Sequence, residues 1–215
     1  MRTKLITRIG MFAMATVITA AGCVSFGAVS AKASAAGYKS AYKKILKNWK
    51  SVKKYDSSGE LGYIKNYFGK DYKFNRYYLC NLDKSGSPEL FLYSTRMDLT
   101  AVLTYQNGSV VLLGCNQIAR INQSKKAIIV NGHWHGAGGS GAEWTVWKKK
   151  GDSLYNKYYI DEVDGEYTVG KDDKYSSSYD SKQYNKIYNK YVKKAKKISK
   201  YKKYKLSDKK GFRIQ

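Results

Sequence analysis

The sequence predicts an α+β domain: an antiparallel β-meander sheet with N-terminal and C-terminal helices packed on it. Three observations lead there. Apolar residues recur at three- and four-residue spacing near both ends of the mature chain. Between Arg76 and Gly170 they form short strand-like runs instead. Tight turns separate those runs, Asn107-Gly108 and Asp164-Gly165 among them, and leave no room for crossover helices.

In chain order, residues 1–33 read as a signal peptide. Arg2, Lys4 and Arg8 form a positive start, Ile9 to Ala31 carries no charge, and Ala31-Lys32-Ala33 places cleavage before Ser34. Alternatives are a second site at Ala33-Ser34-Ala35, an uncleaved anchor, and lipidation at Cys23 in Ala20-Ala21-Gly22-Cys23. The protein is therefore expected to be secreted or associated with the cell envelope, with no transmembrane span after cleavage. Residues 34–215 form one domain, with a basic C-terminal helix and tail from about 180 to 215. Cys80 and Cys115 both fall on expected strands, which leaves a disulfide and two buried thiols open.

Tyr38 to Tyr55 reads as an amphipathic helix, with Tyr42, Ile45, Leu46, Trp49 and Val52 on one face and lysines on the other. A short helix or apolar loop follows to Gly69. The strands expected are 77–82, 89–94, 99–105, 109–114, 127–135, 142–149, 153–161 and 166–170. The expected sheet core is Leu79, Leu90, Leu92, Val102, Leu103, Val111, Leu112, Ile128, Ile129 and Val130. Asp180, with Gln183 in capping-box position, opens the last helix, whose stripe runs from Tyr184 through Ile187, Tyr188 and Tyr191 to Ile198. That stripe needs a surface, so the helix is expected on the sheet beside the N-terminal one.

Charge is distributed unevenly. Residues 34–100 hold 13 Lys/Arg against 6 Asp/Glu, residues 101–181 hold 9 of each, and residues 182–215 hold 14 against 1. A neutral middle thus lies between basic ends, whose field draws anionic polymers and surfaces. The bland alternative is a solvated lysine-rich surface.

Two stretches invite a chemical reading. In N81-L82-D83-K84-S85-G86-S87-P88-E89-L90, Asn81, Asp83, Ser85 and Glu89 offer alternating oxygens to a calcium ion around the Gly86 bend. Only two of these are carboxylates and Lys84 sits among them, so binding would be weak. The preferred reading needs no ion: Asn81 and Asp83 close Asx turns, Ser85-Gly86 supplies the bend, and Pro88 sets the entry to the next strand. Asn81, Asp83, Gly86, Pro88, Glu89 and Leu90, together with Asn107-Gly108 and Tyr184 to Val192, resemble a set of small secreted or lipoprotein-like α+β proteins of gut clostridia. Their central hairpin reads D-x-D-x-D-G-x-P-E-L, and Asn81 and Ser85 depart from it. The resemblance implies export and fold, and no particular activity.

The second stretch is N131-G132-H133-W134-H135-G136. His133 and His135 stand two apart, as strands present paired imidazoles to a transition metal, with Glu143 the nearest carboxylate. Trp134, Trp144 and Trp147 suggest an aromatic surface for sugars or bases, although Trp144 and Trp147 should face opposite sides of a strand. No phosphate-binding glycine loop, C-x-x-C pair or H-E-x-x-H occurs.

The leading expectation is a non-catalytic binding module for anionic cell-wall polymer or glycan, with no cofactor beyond weak calcium. Lys193, Lys194, Lys196, Lys197, Lys200, Lys202 and Lys203 supply charge, with Tyr201 and Tyr204 placed to touch ligand. A metal-dependent enzyme using His133 and His135 is one alternative. Extracellular nucleic-acid binding is the other, and the sequence leaves the oligomeric state open.

Overall fold

The computed structural model describes residues 35–56, 59, 61, 62, 65, 73–83, 86–136, 139–172, 174–176 and 181–213. The signal peptide, Lys84, Ser85, Asp180 and most of the expected second helix lie outside the described residues, as do the side chains of residues 133–136.

Antiparallel strands dominate, with a few helices, but they form two sheets where one meander was expected. Helix α1 (Ala35–Lys47) and a 3₁₀ segment (Trp49–Tyr55) come first. Strands β1 (Arg76–Cys80), β2 (Glu89–Ser94), β3 (Leu99–Gln106) and β4 (Ser109–Asn116) make a meander. Strands β5 (Ile118–Asn122), β6 (Ala127–Gly136), β7 (Gly139–Lys150), β8 (Ser153–Val163), β9 (Glu166–Lys171) and β10 (Lys174–Ser176) make a second one. Only Gln117 separates β4 from β5, and there the chain leaves one sheet for the other. At Asn107-Gly108 and Asp164-Gly165 both turn residues have positive φ, between 50° and 84°, the geometry tight hairpins require.

Alternation explains the layering. In the first sheet, Tyr77, Leu90, Leu92, Ala101 and Leu103 face α1, while Tyr78, Phe91, Val102 and Leu113 face the second sheet. The second sheet answers with Ile118, Ile121, Ile128 and Val130, and turns Ala127, Ile129, Trp144, Val146 and Ile160 outward. Helix α2 (Ser181–Ile187) and the π-helical turn after it (Tyr188–Lys193) cover that outer face with Tyr184, Ile187, Tyr191 and Val192. The order of layers is helix, sheet, sheet, helix. The two helices therefore sit on opposite outer faces, not side by side as expected. Both faces of each sheet are apolar, so each needs its own cover.

Of the expected core, Leu90, Leu92, Val102, Leu103, Leu112, Ile128, Ile129 and Val130 are buried, while Leu79 and Val111 are half-buried. Cys80 lies in the core between the sheets and Cys115 in the core under α1; no disulfide joins them. Burial pushes the Cys80 thiol up to about 11.

The C-terminal segment is not a detachable tail. Its helical stripe ends early because the chain returns to both sheets. Lys196–Lys197 (β11) pairs with β5, and Tyr204–Lys205 (β12) pairs with β1. Asn122, 3% exposed, holds the helix end by donating from Nδ2 to the Tyr191 carbonyl at 2.9 Å. Tyr204 and Phe212 are buried against Tyr77, with ring centroids 5.7 Å from it in each case. Gly211 permits this approach, since a Cβ there would lie 2.7 Å from the Tyr77 hydroxyl. Residues 196–213 act as a clasp across one edge of each sheet.

Candidate anion-binding cleft

Closing the clasp onto β1, beside α1, leaves a cleft of about 840 Å³. Its floor is apolar: Leu46 from α1, Phe74 before β1, and Leu206 and Phe212 from the clasp. Its walls are cationic. Lys43, Lys44 and Lys47 come from α1, Lys73 and Arg76 from the approach to β1 and its first residue, and Lys205 and Lys209 from the clasp. No acidic side chain lines the cleft among the described residues. The nearest acid in the chain, Asp208, is turned to its own backbone, accepting from the Lys210 N–H at 2.8 Å. Thus the two basic ends of the sequence meet in space, with the neutral middle outside them.

The ladder fixes part of this arrangement. Arg76 stands directly opposite Lys205, and the next rung pairs Tyr77 with Tyr204. Lys43 extends over the Phe212 ring, 5.7 Å from its centroid, and so ties α1 to the clasp. Cationic walls over an apolar floor can hold a phosphate- or carboxylate-bearing chain by charge. Ser40, Asn75 and Ser207 complete the described polar lining.

None of the tail residues expected to bind lines this cleft. Lys193, Lys194, Lys196, Lys197, Lys200 and Lys202 are exposed elsewhere on the surface. Lys203 is half-buried, donates to the Ile198 carbonyl at 2.9 Å and lies 4.8 Å from the Tyr93 ring centroid. Tyr201 and Tyr204 were expected to touch ligand, and both are drawn inward. Tyr201 packs on Tyr78 and accepts from the Cys80 thiol at 3.9 Å; Tyr204 is only 8% exposed. Their burial follows from the clasp's pairing, which has no helical or alternating signature in a run of lysines.

The loop at 81–89 holds a cation of the protein's own. Lys149, on β7, donates to Glu89 Oε1 at 2.6 Å and to Asp83 Oδ2 at 2.9 Å. Glu89 Oε2 accepts the Leu82 N–H at 2.7 Å. Burial pushes the Glu89 carboxyl up, against the pull of Lys149. Burial also pulls Lys149 down, but Glu89 and Asp83 outweigh it and hold the ammonium above its ordinary value. With short bonds on both Glu89 oxygens, the pair is charged. The two carboxylates proposed for calcium are thus engaged by an ammonium; the Asn81 backbone carbonyl accepts from Gln123 Nε2 at 2.9 Å, and Ser85 lies outside the described residues.

In the β6–β7 ladder, Gly132 pairs with Glu143, His133 with Ala142 and His135 with Ser140. Glu143 therefore occupies the opposite face of the sheet from the two histidine positions. Burial, then the neighbouring Asp161, raises the Glu143 carboxyl. Trp144 is buried in the helix-side core, and Trp147 is half-buried against the inter-sheet core.

No helix among the described residues is long and apolar enough to cross a membrane. No family model, curated protein or solved structure matches the chain.

Proposed function

We propose that this protein is an exported, non-catalytic module that binds an anionic cell-envelope polymer or glycan through its basic surface, centred on the cleft between α1 and the clasp. The observation that carries this reading is convergence. Seven cations from both ends of the chain face one cavity of about 840 Å³ without an acid among its described lining. Lysines scattered for solubility alone would be interspersed with acids, as they are between residues 101 and 181. Export is read from residues 1–33, and N-terminal sequencing of the protein from culture medium tests it.

Binding is tested by retention on teichoic-acid-bearing cell wall across a salt series. Retention should fall steeply as salt rises, because counterions released from the polymer drive it. Wall stripped of its teichoic acid should retain less protein. Retention indifferent to both salt and stripping would dismiss the proposal.

A further inference from the structure

We infer that Arg76 and Lys205, opposed across the β1–β12 ladder, form with Lys43 and Lys47 of α1 a phosphate grip for a base-free polyol phosphodiester polymer. This inference rests on the anionic-polymer reading and assigns its site and ligand chemistry. The first support is a cost. Like charges directly opposite on neighbouring strands repel, as do lysines four apart on a helix. Here Arg76 faces Lys205, and Lys43 and Lys47 share a helix face, with no acid among the described lining residues. Packing fixes the opposed pair in place: Tyr77 against Tyr204 and Phe212, the Tyr77 hydroxyl donating to the Asp208 carbonyl, and Gly211 admitting the contact. A phosphate placed between these cations relieves repulsion that the free protein carries.

The second support is the kind of cation. Six of the seven are lysines, compact ammonium charges that suit phosphate without demanding one planar geometry. Arginine forks, which match carboxylate and phosphate alike in two-point fashion, are represented once, so the site holds its ligand mainly by point charges that can follow a flexible chain. The third concerns bases. Proteins that bind single-stranded nucleic acid stack bases on open aromatic faces. The two rings lining this cleft, Phe74 at 0% and Phe212 at 6% exposure, are sealed into the core. The site therefore favours a chain that presents phosphates and no bases.

The test titrates the full chain with poly(glycerol phosphate), and with single-stranded DNA of matched charge, at fixed salt. Arg76→Gln/Lys205→Gln is compared with Lys193→Gln/Lys194→Gln, which removes equal charge from exposed positions outside the cleft. The cleft pair should weaken polymer binding by about ten-fold or more and make the salt dependence shallower, and the control by less than about three-fold. Without ligand, the cleft variant should melt no lower than wild type, because a like-charge pair is gone. Should it melt lower, Arg76→Lys/Lys205→Arg decides: retained charge must retain binding, and loss of binding there overturns the grip. Equal losses in the cleft and control pairs would also overturn it and leave the anionic-polymer reading standing. DNA bound as tightly as the polymer overturns the base-free assignment. No binding of poly(glycerol phosphate) by wild type overturns the phosphate grip, and the anionic-polymer reading falls with it only if wall retention is also indifferent to salt and stripping.

Discussion

Lys149 and Lys205 occupy opposite circumstances in one molecule. The first is nearly enclosed, its side chain 7% exposed, and meets two carboxylates at 2.6 and 2.9 Å. The second stands at an open cleft, directly across from Arg76, among cations with no acid in the described lining. Acids are scarce, 16 against 40 Lys/Arg, and two of them converge on Lys149, which burial would otherwise penalise. A buried cation without a partner would cost several kcal/mol, while exposed ones repel only weakly through water. The difference teaches where charge holds the fold and where it is left available to a partner.

The largest way to break that contrast is to remove the clasp. Ending the chain after Ser199 deletes Tyr204 and Phe212, buried against Tyr77, and unpairs the edge of β1. Losing one buried aromatic side chain costs about 3–5 kcal/mol, and losing two approaches the whole stability of a small domain. Loss of cooperative melting by circular dichroism is expected, so truncation cannot serve as a binding test. A truncated chain that melts like wild type would show the clasp to be the appendage that the basic sequence suggested.

Next is Lys149→Met. It leaves Glu89, fully buried, as an uncompensated carboxylate, and breaking such a pair costs about 3–5 kcal/mol. Lys149→Met/Glu89→Gln should recover much of that loss in urea denaturation, since the glutamine oxygen still accepts the Leu82 N–H. The pH dependence follows from the raised Lys149. Its contribution is complete below the unfolded lysine value of about 10.4 and is lost as pH rises through the higher folded value. Tyr77, pushed up to about 12 by burial and then by Asp208, loses its contribution in a neighbouring window, from about 10 to 12. Lys149→Met should therefore flatten the alkaline decline without abolishing it. An unchanged alkaline limb would mean that Lys149 is not paired as described.

Much of this fold was legible because short-range rules wrote it. Asn107-Gly108 and Asp164-Gly165 announced their hairpins, and β2 runs from Glu89 to Ser94 as its short strand-like run predicted. The two-sheet layering left a fainter trace: Leu90-Phe91-Leu92 and Ala101-Val102-Leu103 are apolar on both faces, which one half-covered sheet does not need. The short β5 escaped because a single residue, Gln117, joins it to β4. Lys149 lies 60 residues from Glu89, and no local pattern links them. The charge map held the cleft in outline, since both ends were basic. What it lacked was the two-residue pairing of β12 with β1 that brings those ends together.

The smallest expected effect separates two opposing influences inside the cleft. Lys43 and Lys47 repel one another across one helical turn, an unfavourable contact of about 0.2–0.5 kcal/mol. Lys43 also rests 5.7 Å from the Phe212 ring centroid, a cation–π contact of about 0.5–1 kcal/mol at an exposed site. Lys47→Gln removes that repulsion but also the attraction of a last-turn lysine for the negative end of α1, about 0.3–1 kcal/mol, so it should lower stability by a few tenths of a kcal/mol. Lys43→Gln removes the same repulsion and the ring contact, so its change should be near zero or slightly negative. Salt sharpens the comparison: screening weakens both the repulsion and the dipole attraction, so the Lys47→Gln loss should shrink toward zero as salt is added. Urea melts of both variants at low and high salt would resolve the signs. If Lys47→Gln destabilises the protein by more than about 1 kcal/mol, and undiminished at high salt, Lys47 has a partner, and the unneutralised cleft that separates it from Lys149 no longer stands.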